Sequence, residues 1–458
     1  MIYCCRPKLV PRKHYSFSKM LRADPATRPV LFKIVLCLLP MDQAAETEKL
    51  LARMKFPGNG PAWYYVQAAS QIIGAANEER ASCLQALKLF SRVELLVMAK
   101  LLKTSAGQRN SARAAIASAK KKTLLSSKGR VLVTGAAGFI GSALVHELNA
   151  RGITRIVVSD HLGNDEKWRN LAPLAFEDFI PPDRLLEDLK QDAGSHGKFL
   201  ACFHLGACSS TTVTDAAYVM ENNFGYTKGL CRWALATGSR FIYASSAATY
   251  GDGSAGMDDK NENLRAFRPL NLYGYSKHLF DLYAQNGAML PKIVGLKYFN
   301  VFGPNEYHKG DMRSLVCKAY DQIVTTGKIR LFKSYKPEYA DGAQMRDFVY
   351  VKDAVAMTLH LAETPAAAGL YNIGAGVART WNDLANALFG ALNIPPNVEF
   401  IEMPESIKNQ YQYYTCADIS KLRSMNYDAP TTTLEDAVRD YAVNYLKPGR
   451  RLGDEIGS

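Results

Sequence analysis

Three glycines at three-residue spacing constrain this chain more than any other feature of its sequence. Gly135, Gly138 and Gly141 follow the apolar run of residues 131–133 and precede SALVHELNA, which has helical spacing. A second apolar run, RIVVSD, ends at Asp160, about twenty residues after the last glycine. In such a βαβ unit the helix N-terminus can receive a pyrophosphate, and the acidic side chain can bond a ribose hydroxyl. The spacing therefore predicts a dinucleotide site.

The sequence leaves the choice between NAD and NADP open. A carboxylate at Asp160 favours NAD, because it repels the 2′-phosphate of NADP. His161 and Lys167 follow closely, however, and their positive charge can offset that repulsion.

Further apolar runs alternate with helical stretches and predict a Rossmann-type fold. The runs cover residues 199–210, 240–251 and 293–304. Alternating strands and helices form a doubly wound parallel sheet that binds ligands at the carboxyl ends of its strands. We expect the Rossmann domain over 129–304 and a smaller α/β substrate domain over 305–447. Some segments of the smaller domain should return to the large sheet, and residues 448–458 form a tail.

The heptapeptide NLYGYSK, residues 271–277, contains a candidate catalytic pair. Tyr273 and Lys277 are four residues apart and share one face of a helix, whereas Tyr275 points away from that face. An ammonium about 4 Å from a phenolate is worth roughly 4 kcal/mol at an effective dielectric of about 20, or about three pKa units. The pair alone is more often part of an ordinary surface helix. Ser245 and Ser246 at a nearby strand end favour catalysis, with a serine hydroxyl holding the substrate beside the phenol.

Charge divides the chain into two parts. Residues 1–128 carry 22 Lys and Arg against 7 Asp and Glu, whereas the remainder carries 34 against 36. The near-neutral body argues against nucleic-acid binding there. The basic extension has helical spacing at 43–56 and 77–103 and a Ser/Ala/Lys-rich linker at 104–128. We expect a non-catalytic appendage, and an organellar targeting peptide is the alternative for its Arg-rich start.

The cysteines and the apolar run LFKIVLCLLP argue against a disulfide-rich protein, a zinc protein and a membrane-spanning protein. Nine cysteines form no CxxC pair and no zinc spacing, which predicts reduced thiols, a cytoplasmic setting and no metal site. The run LFKIVLCLLP is too short to span a bilayer.

Several segments together resemble a known family. The turn TGAAGFIG, the strand-end serines and the YxxxK spacing resemble the extended short-chain dehydrogenases/reductases that act on nucleotide sugars. Within that family, GACSSTT, YASSAATYG, PLNLYGYSK, KYFNVFGPNEYHKGDM and RDFVYVKDA are similar to segments of the ADP-heptose 6-epimerases. The resemblance runs from about residue 130 to 447, and residues 1–128 have no counterpart in it.

The resemblance implies a reaction and its groups. Such enzymes invert carbon 6 of ADP-D-glycero-D-manno-heptose by transient oxidation and re-reduction, in the synthesis of lipopolysaccharide precursors. Tyr273 would be one acid/base and Lys309 the second, while Lys277 tunes Tyr273 and Ser246 orients the substrate. The family implies one tightly bound NADP per subunit, with NAD possible, and a homo-oligomer such as a pentamer.

The resemblance also assigns contacts residue by residue. The cofactor would touch the glycine-rich turn, the ends of the next two strands and three later positions, namely Gly135, Gly138, Phe139, Ile140, Gly141, Asp160, His161, Lys167, Leu205, Gly206, Ala207, Cys208, Ser209, Asn222, Lys277 and Val301. The nucleotide sugar would touch Ser246, Asn300, Asp311, Lys318, Phe332, Arg346 and Tyr411, with Arg346 as a diphosphate clamp.

Some positions depart from the family pattern. Asp311 stands where a serine is usual, Lys318 replaces a histidine, Val213 replaces a glutamate, and the loop before Arg346 is longer. Two other functions stay open. A 4-epimerase or 4,6-dehydratase is one, although SSAATYG lacks the carboxylate pair that dehydration needs. A non-enzymatic protein that retains a dinucleotide fold is the other.

Overall fold

The structure is a computed structural model that describes Leu125 and residues 129–260, 263–408 and 411–454. The predicted helical stretches 43–56 and 77–103 lie outside the described residues. So do residues 455–458 of the tail and the linker 104–128, apart from Leu125. The Leu125 side chain is 3% exposed and belongs to the apolar core of the body.

A seven-stranded parallel sheet organises the body. Its order is β10-β6-β5-β4-β1-β2-β3, and every neighbouring pair is parallel. The strands are β1 (Arg130–Thr134), β2 (Ile156–Ser159), β3 (Asp178–Phe179), β4 (Phe199–His204), β5 (Arg240–Ser246), β6 (Val294–Tyr298) and β10 (Gly369–Ile373). The strand order reverses between β1 and β4, where a crevice forms at the carboxyl ends of the strands. The predicted doubly wound sheet is confirmed.

Helices cover both faces of the sheet and build the smaller part of the body. They are α1 (Phe139–Ala150), α2 (Pro182–Gln191), α3 (Ala216–Met220), α4 (Tyr226–Thr237), α5 (Leu272–Asn286), α6 (Leu315–Thr326), α7 (Val351–Glu363), α8 (Trp381–Leu392), α9 (Glu405–Lys408), α10 (Ser420–Ser424) and α11 (Leu434–Tyr441). A π-turn over Glu221–Gly225 joins α3 to α4. Within the described ranges, no helix has the length and apolar character to cross a membrane.

Alternate residues of the central strands face two separate apolar cores. On β1, Val131 and Val133 contribute to one core, and Leu132 contributes to the other. Side chains of a strand point alternately to its two faces, so a strand buried on both faces reads as a continuous apolar run. This explains why the strands next to the glycine-rich turn were recognisable from sequence.

The start of α5 fixes the candidate catalytic helix against the end of β5. The Asn271 side chain caps α5 by accepting a hydrogen bond from the backbone N–H of Gly274 at 2.8 Å. A Cβ on Gly274 would lie 2.8 Å from the carbonyl oxygen of Ala248, so α5 approaches the turn after β5 too closely for a side chain there. Tyr275 is 48% exposed, as helix geometry predicts.

Two small sheets extend the body beyond the large one. The strands β11 (Ala378–Thr380), β9 (Met345–Tyr350) and β7 (Asn300–Phe302) form one sheet, and β12 (Val398–Ile401) pairs with β8 (Ile329–Phe332) in the other. In the region 305–447, α8 contacts β11 of the three-stranded sheet. The helix α7 packs on α1, β6 and β10, so this segment of the region lies against the large sheet.

Candidate active site

The glycine-rich turn between β1 and α1 is shaped by close backbone contacts. Gly135 has a φ of +68°, and a Cβ there would lie 2.5 Å from the backbone nitrogen of Gly206. A Cβ on Gly141 would lie 2.0 Å from the carbonyl oxygen of Gly135. Gly138 precedes α1 and has no side chain to cap the helix, which leaves the helix N-terminus to an external anion. The turn therefore fits the pyrophosphate of a dinucleotide.

Asp160, at the end of β2, braces this turn. One carboxylate oxygen accepts the backbone N–H groups of Ala137 at 2.9 Å and Gly138 at 3.2 Å. The other oxygen lies 3.0 Å from Nζ of Lys167. His161 is exposed beside them. The salt bridge partly neutralises the carboxylate that would repel a 2′-phosphate.

The segment after β4 is held in place by a buried amide. Asn223 accepts the N–H of Cys208 at 2.8 Å, and its Nδ2 donates to the carbonyl of Cys208 at 3.0 Å and to Oγ of Ser276 at 2.9 Å. The neighbouring Asn222, which the resemblance assigns to the cofactor, donates to the carbonyl of Tyr218 within its own helix. Asn223 thus links the segment that begins at Leu205 to α5. Nothing in the sequence marked Asn223 beyond its place next to Asn222.

Tyr273, Ser246 and Lys277 meet at the end of β5. The phenol of Tyr273 lies close enough to Ser246 for the serine hydroxyl to influence its pKa. Lys277 is 3% exposed, and its Nζ donates to the carbonyl of Ala244, one strand residue before Ser245, at 2.8 Å. Tyr273 and Lys277, predicted to share a helix face, both reach the last residues of β5.

Burial controls the proton affinities of these two groups. Burial raises the pKa of Tyr273 above its ordinary value, and the nearby hydroxyl of Ser246 opposes that rise. Burial lowers the pKa of Lys277 to about 8, against the opposing charge of Asp281. The sequence predicted that Lys277 would lower the pKa of Tyr273. The structure differs, because desolvation of the phenol outweighs other influences and the ammonium is directed to a carbonyl.

Lys309 lies on a turn of 3₁₀-helix, Tyr307–Met312, that reaches the glycine-rich turn. Its Nζ is 5.3 Å from the ring centroid of Phe139, the first residue of α1. Burial lowers the pKa of Lys309, while the negative charge of the buried Glu306 raises it. A lysine with a lowered pKa is suited to proton transfer near neutral pH.

Arg346 on β9 is a buried cation between aromatic rings. Its guanidinium carbon lies 5.1 Å from the Tyr411 ring centroid and 5.7 Å from that of Trp381, and the side chain is 6% exposed. No carboxylate of the described residues forms an ion pair with it, and its one hydrogen bond goes to the carbonyl of Met345. Burial lowers the pKa of Arg346. A buried guanidinium without a carboxylate is suited to an external anion.

The remaining candidate substrate residues lie at the surface or near it. Asn300 is exposed and accepts the hydroxyl of Thr415 at 3.4 Å. Asp311 is exposed, and its carbonyl accepts Nζ of Lys318 at 3.1 Å. Phe332 ends β8 and is half-buried. Val301, from the cofactor set, lies on β7 and is half-buried.

A buried ion pair beneath β5 was missed in the sequence. Asp281 and Lys297 are 0% and 1% exposed in their side chains, and their charged atoms are 2.8 Å apart. Asp281 also accepts the hydroxyls of Tyr243 and Ser245, each at 2.8 Å. Two signals could have identified the pair. Asp281 follows Lys277 at the same four-residue spacing, and Lys297 is a charge inside an apolar strand.

Comparisons with known proteins agree with this geometry. Residues 131–374 match the NAD dependent epimerase/dehydratase family. The chain is 50% identical over 320 residues to an ADP-L-glycero-D-manno-heptose-6-epimerase of Nitratidesulfovibrio vulgaris, covering 69% of this chain and 97% of that protein. The protein of the same name from Fusobacterium nucleatum is 46% identical over 327 residues, covering 69% and 98%.

A solved structure shows the same fold. The crystal structure of Helicobacter pylori ADP-L-glycero-D-manno-heptose-6-epimerase is similar at a TM-score of 0.59 and 27% identity, covering 71% of this chain and 97% of that one. The glycine-rich turn, the strand order and these relatives lead to one conclusion. The chain belongs to the NAD dependent epimerase/dehydratase family.

Proposed function

We propose that this protein is an ADP-glycero-manno-heptose 6-epimerase, an isomerase that interconverts ADP-D-glycero- and ADP-L-glycero-D-manno-heptose. The meeting of Tyr273, Ser246 and Lys277 at the end of β5 is the observation that carries the proposal. It brings a proton-transfer group next to a hydroxyl that can hold a substrate alcohol. The relatives at 39–50% identity that bear this name support the choice of sugar.

Inversion of a secondary alcohol requires a proton-transfer group for each of two substrate orientations. A bound nicotinamide dinucleotide supplies the reversible two-electron oxidation of carbon 6. Tyr273 takes the hydroxyl proton in one orientation, and Ser246 holds that hydroxyl beside the phenol. Lys309 takes or returns the proton in the other orientation. Lys277, whose ammonium donates to the carbonyl of Ala244, adds positive charge near the phenol. That charge favours the phenolate, although burial of the phenol outweighs it in setting the pKa of Tyr273.

The cofactor preference is proposed to be NADP. Lys167 already offsets the charge of Asp160 at 3.0 Å, and the exposed His161 adds a second donor nearby. Both groups can face a 2′-phosphate, while the glycine-rich turn holds the pyrophosphate. Titration of the purified chain with NADPH and NADH, read by the fluorescence of the reduced nicotinamide, tests this preference. Tighter binding of NADH would reject it.

The diphosphate of the sugar nucleotide is proposed to bind at Arg346. Its buried, carboxylate-free guanidinium can form two parallel hydrogen bonds with phosphate oxygens. The rings of Tyr411 and Trp381 pack against the guanidinium of Arg346. The hydroxyl of Tyr411 also accepts a hydrogen bond from Nε1–H of Trp381 at 2.8 Å. Asn300, Asp311, Lys318 and Phe332 are proposed as the surrounding contacts.

The wider setting follows from the same proposal. We place the reaction in lipopolysaccharide precursor synthesis in the cytoplasm, and we propose a homo-oligomer, with a pentamer as the first candidate. Residues 129–304 and 305–447 are proposed as the cofactor and substrate domains, and 1–128 as an extension outside the reaction.

Incubation of the purified protein with ADP-D-glycero-D-manno-heptose tests the activity. Proton NMR should show the L-glycero epimer accumulating until both epimers are present at equilibrium. UDP-glucose and UDP-glucuronic acid are the control substrates, because a 4-epimerase would act on them. Conversion of a UDP-sugar without conversion of ADP-heptose would contradict the proposal.

A further inference from the structure

Residues 448–454 of the C-terminal tail return to the glycine-rich turn. Leu452 is 2% exposed and packs in the same core as β1. Its backbone N–H donates to Oδ1 of Asn305 at 2.9 Å. Asn305 is fully buried, has a φ of +79°, and donates to Oγ of Ser142 on α1 at 3.0 Å. The tail thereby satisfies a buried amide in a strained turn.

Arg451 connects the tail to the turn that follows β2. Its Nε donates to Oδ1 of Asn170 at 3.2 Å, and its NH2 lies 2.9 Å from Oε2 of Glu166. Nδ2 of Asn170 in turn donates to the carbonyls of Ala137 at 2.9 Å and Asn305 at 3.0 Å. Ala137 belongs to the glycine-rich turn. One arginine therefore braces two segments that meet at the dinucleotide site.

The tail also contacts the turn that carries Lys309. The hydroxyl of Tyr307 donates to the carbonyl of Arg450 at 2.7 Å, and the guanidinium of Arg451 lies 5.2 Å from the Tyr307 ring centroid. Lys309 follows two residues later, and its backbone N–H donates to the carbonyl of Glu306 at 3.0 Å. The position of Lys309 over Phe139 thus depends on a turn that the tail holds.

We propose that Arg451 and Leu452 are positioning residues, which hold the Lys309 turn against the glycine-rich turn. The role of Lys309 as a proton-transfer group rests on the proposed function, whereas the structural brace does not. The three braced segments come from distant parts of the sequence, and the tail contacts both Asn305 and Asn170. Displacement of a reacting group by about 1 Å can cost about 100-fold in rate, so a brace of this kind affects catalysis without touching substrate.

Release of the brace also changes the surroundings of Lys309. The charged and titratable groups that face Lys309 are Glu306 just before its turn, His308 on the turn, and Lys318 and Cys317 on α6. Burial is the chief cause of the lowered pKa of Lys309. A loosened turn admits water, so the pKa of Lys309 should rise towards its ordinary value.

The test compares Arg451→Met with Arg450→Met in the full chain. Arg450 is a matched control, because its backbone carbonyl, and not its side chain, accepts Tyr307. Hydrogen exchange read by mass spectrometry should show faster exchange of residues 303–312 and 166–171 in Arg451→Met alone. With ADP-heptose, kcat should fall about 10- to 100-fold in Arg451→Met with KM changed less than about twofold. The pH limb that reports Lys309 should move to higher pH.

Unchanged exchange in Arg451→Met, or equal effects in both variants, would overturn the inference. So would a loss of kcat with the pH limb unmoved, because a merely less stable protein behaves that way. Should Arg451→Met not fold, Glu166→Gln removes only the half-exposed carboxylate partner and should show the same pattern more weakly. Parent protein without activity on ADP-heptose would reject the proposed function, while the exchange experiment would still decide the brace.

Discussion

Replacement of Arg346 by methionine should separate stability from binding. Arg346 is 6% exposed, and no described carboxylate pairs with its guanidinium. Desolvation of a buried cation costs several kcal/mol, so removing it relieves an unfavourable contribution to folding. Methionine keeps much of the apolar stem and can still contact Tyr411 and Trp381.

The expected changes follow from the contacts of Arg346. Two ring contacts contribute about 0.5–2 kcal/mol each, and the bond to the Met345 carbonyl contributes about 1.5–3 kcal/mol. These losses and the relieved desolvation nearly cancel, so the free energy of unfolding should be unchanged or about 1–2 kcal/mol higher. Loss of two charge-assisted hydrogen bonds to a diphosphate costs about 3 kcal/mol, or about 150-fold in KM. The value of kcat should change little, because the diphosphate is remote from carbon 6.

Steady-state kinetics with ADP-heptose and thermal unfolding of the bare protein measure the two effects. Arg379→Met is the matched control, since Arg379 lies opposite Arg346 in the β9–β11 ladder but pairs with Asp383 and Glu435. The control should leave KM unchanged and cost about 1 kcal/mol or less of stability. Arg346→Met with an unchanged KM and a lowered unfolding temperature would show that Arg346 is structural and binds no phosphate.

Three further changes have definite expected outcomes. Burial lowers the pKa of Lys277 to about 8, and its charged form supports proton transfer. The value of kcat should therefore fall as pH rises through about 8, and a kcat–pH profile that stays flat to about 9.5 would contradict this. Asp281→Asn or Lys297→Met should each cost about 3–5 kcal/mol in chemical unfolding, and the double variant should recover most of that loss, whereas additive losses would count against a coupled pair. Gly141→Ala should abolish retention of a nicotinamide cofactor through purification, because its Cβ would lie 2.0 Å from the Gly135 carbonyl; normal retention would show that the turn can adjust.

Local sequence patterns were sufficient to predict the large sheet and the candidate catalytic helix. The apolar run before Gly135 reads as a buried strand because both its faces are covered, and Asn271 caps α5 as its residue type favours. The four-residue spacing of Tyr273 and Lys277 was enough to predict that both share one face of α5, but not that this face lies at the end of β5. Short-range rules of this kind do not depend on distant parts of the chain.

Contacts between distant segments were not predictable in the same way. The helix α7 has ordinary helical spacing, and that spacing does not say which sheet it covers. The tail was expected only as a terminal segment, yet Arg451 reaches Asn170 across 281 residues of sequence. The pKa of Tyr273 depends on burial by the whole fold, which outweighs the pair interaction that helix geometry suggested.

The most direct test asks whether two groups serve the two substrate orientations. It measures single-turnover oxidation of each C6 epimer by Tyr273→Phe and by Lys309→Met, read at the nicotinamide absorbance. Each variant should lose at least about 100-fold in rate with one epimer and keep most of its rate with the other, and the affected epimer should differ between the variants. Equal losses for both epimers in Tyr273→Phe, with Lys309→Met unaffected, would show that Tyr273 alone transfers the proton in both orientations.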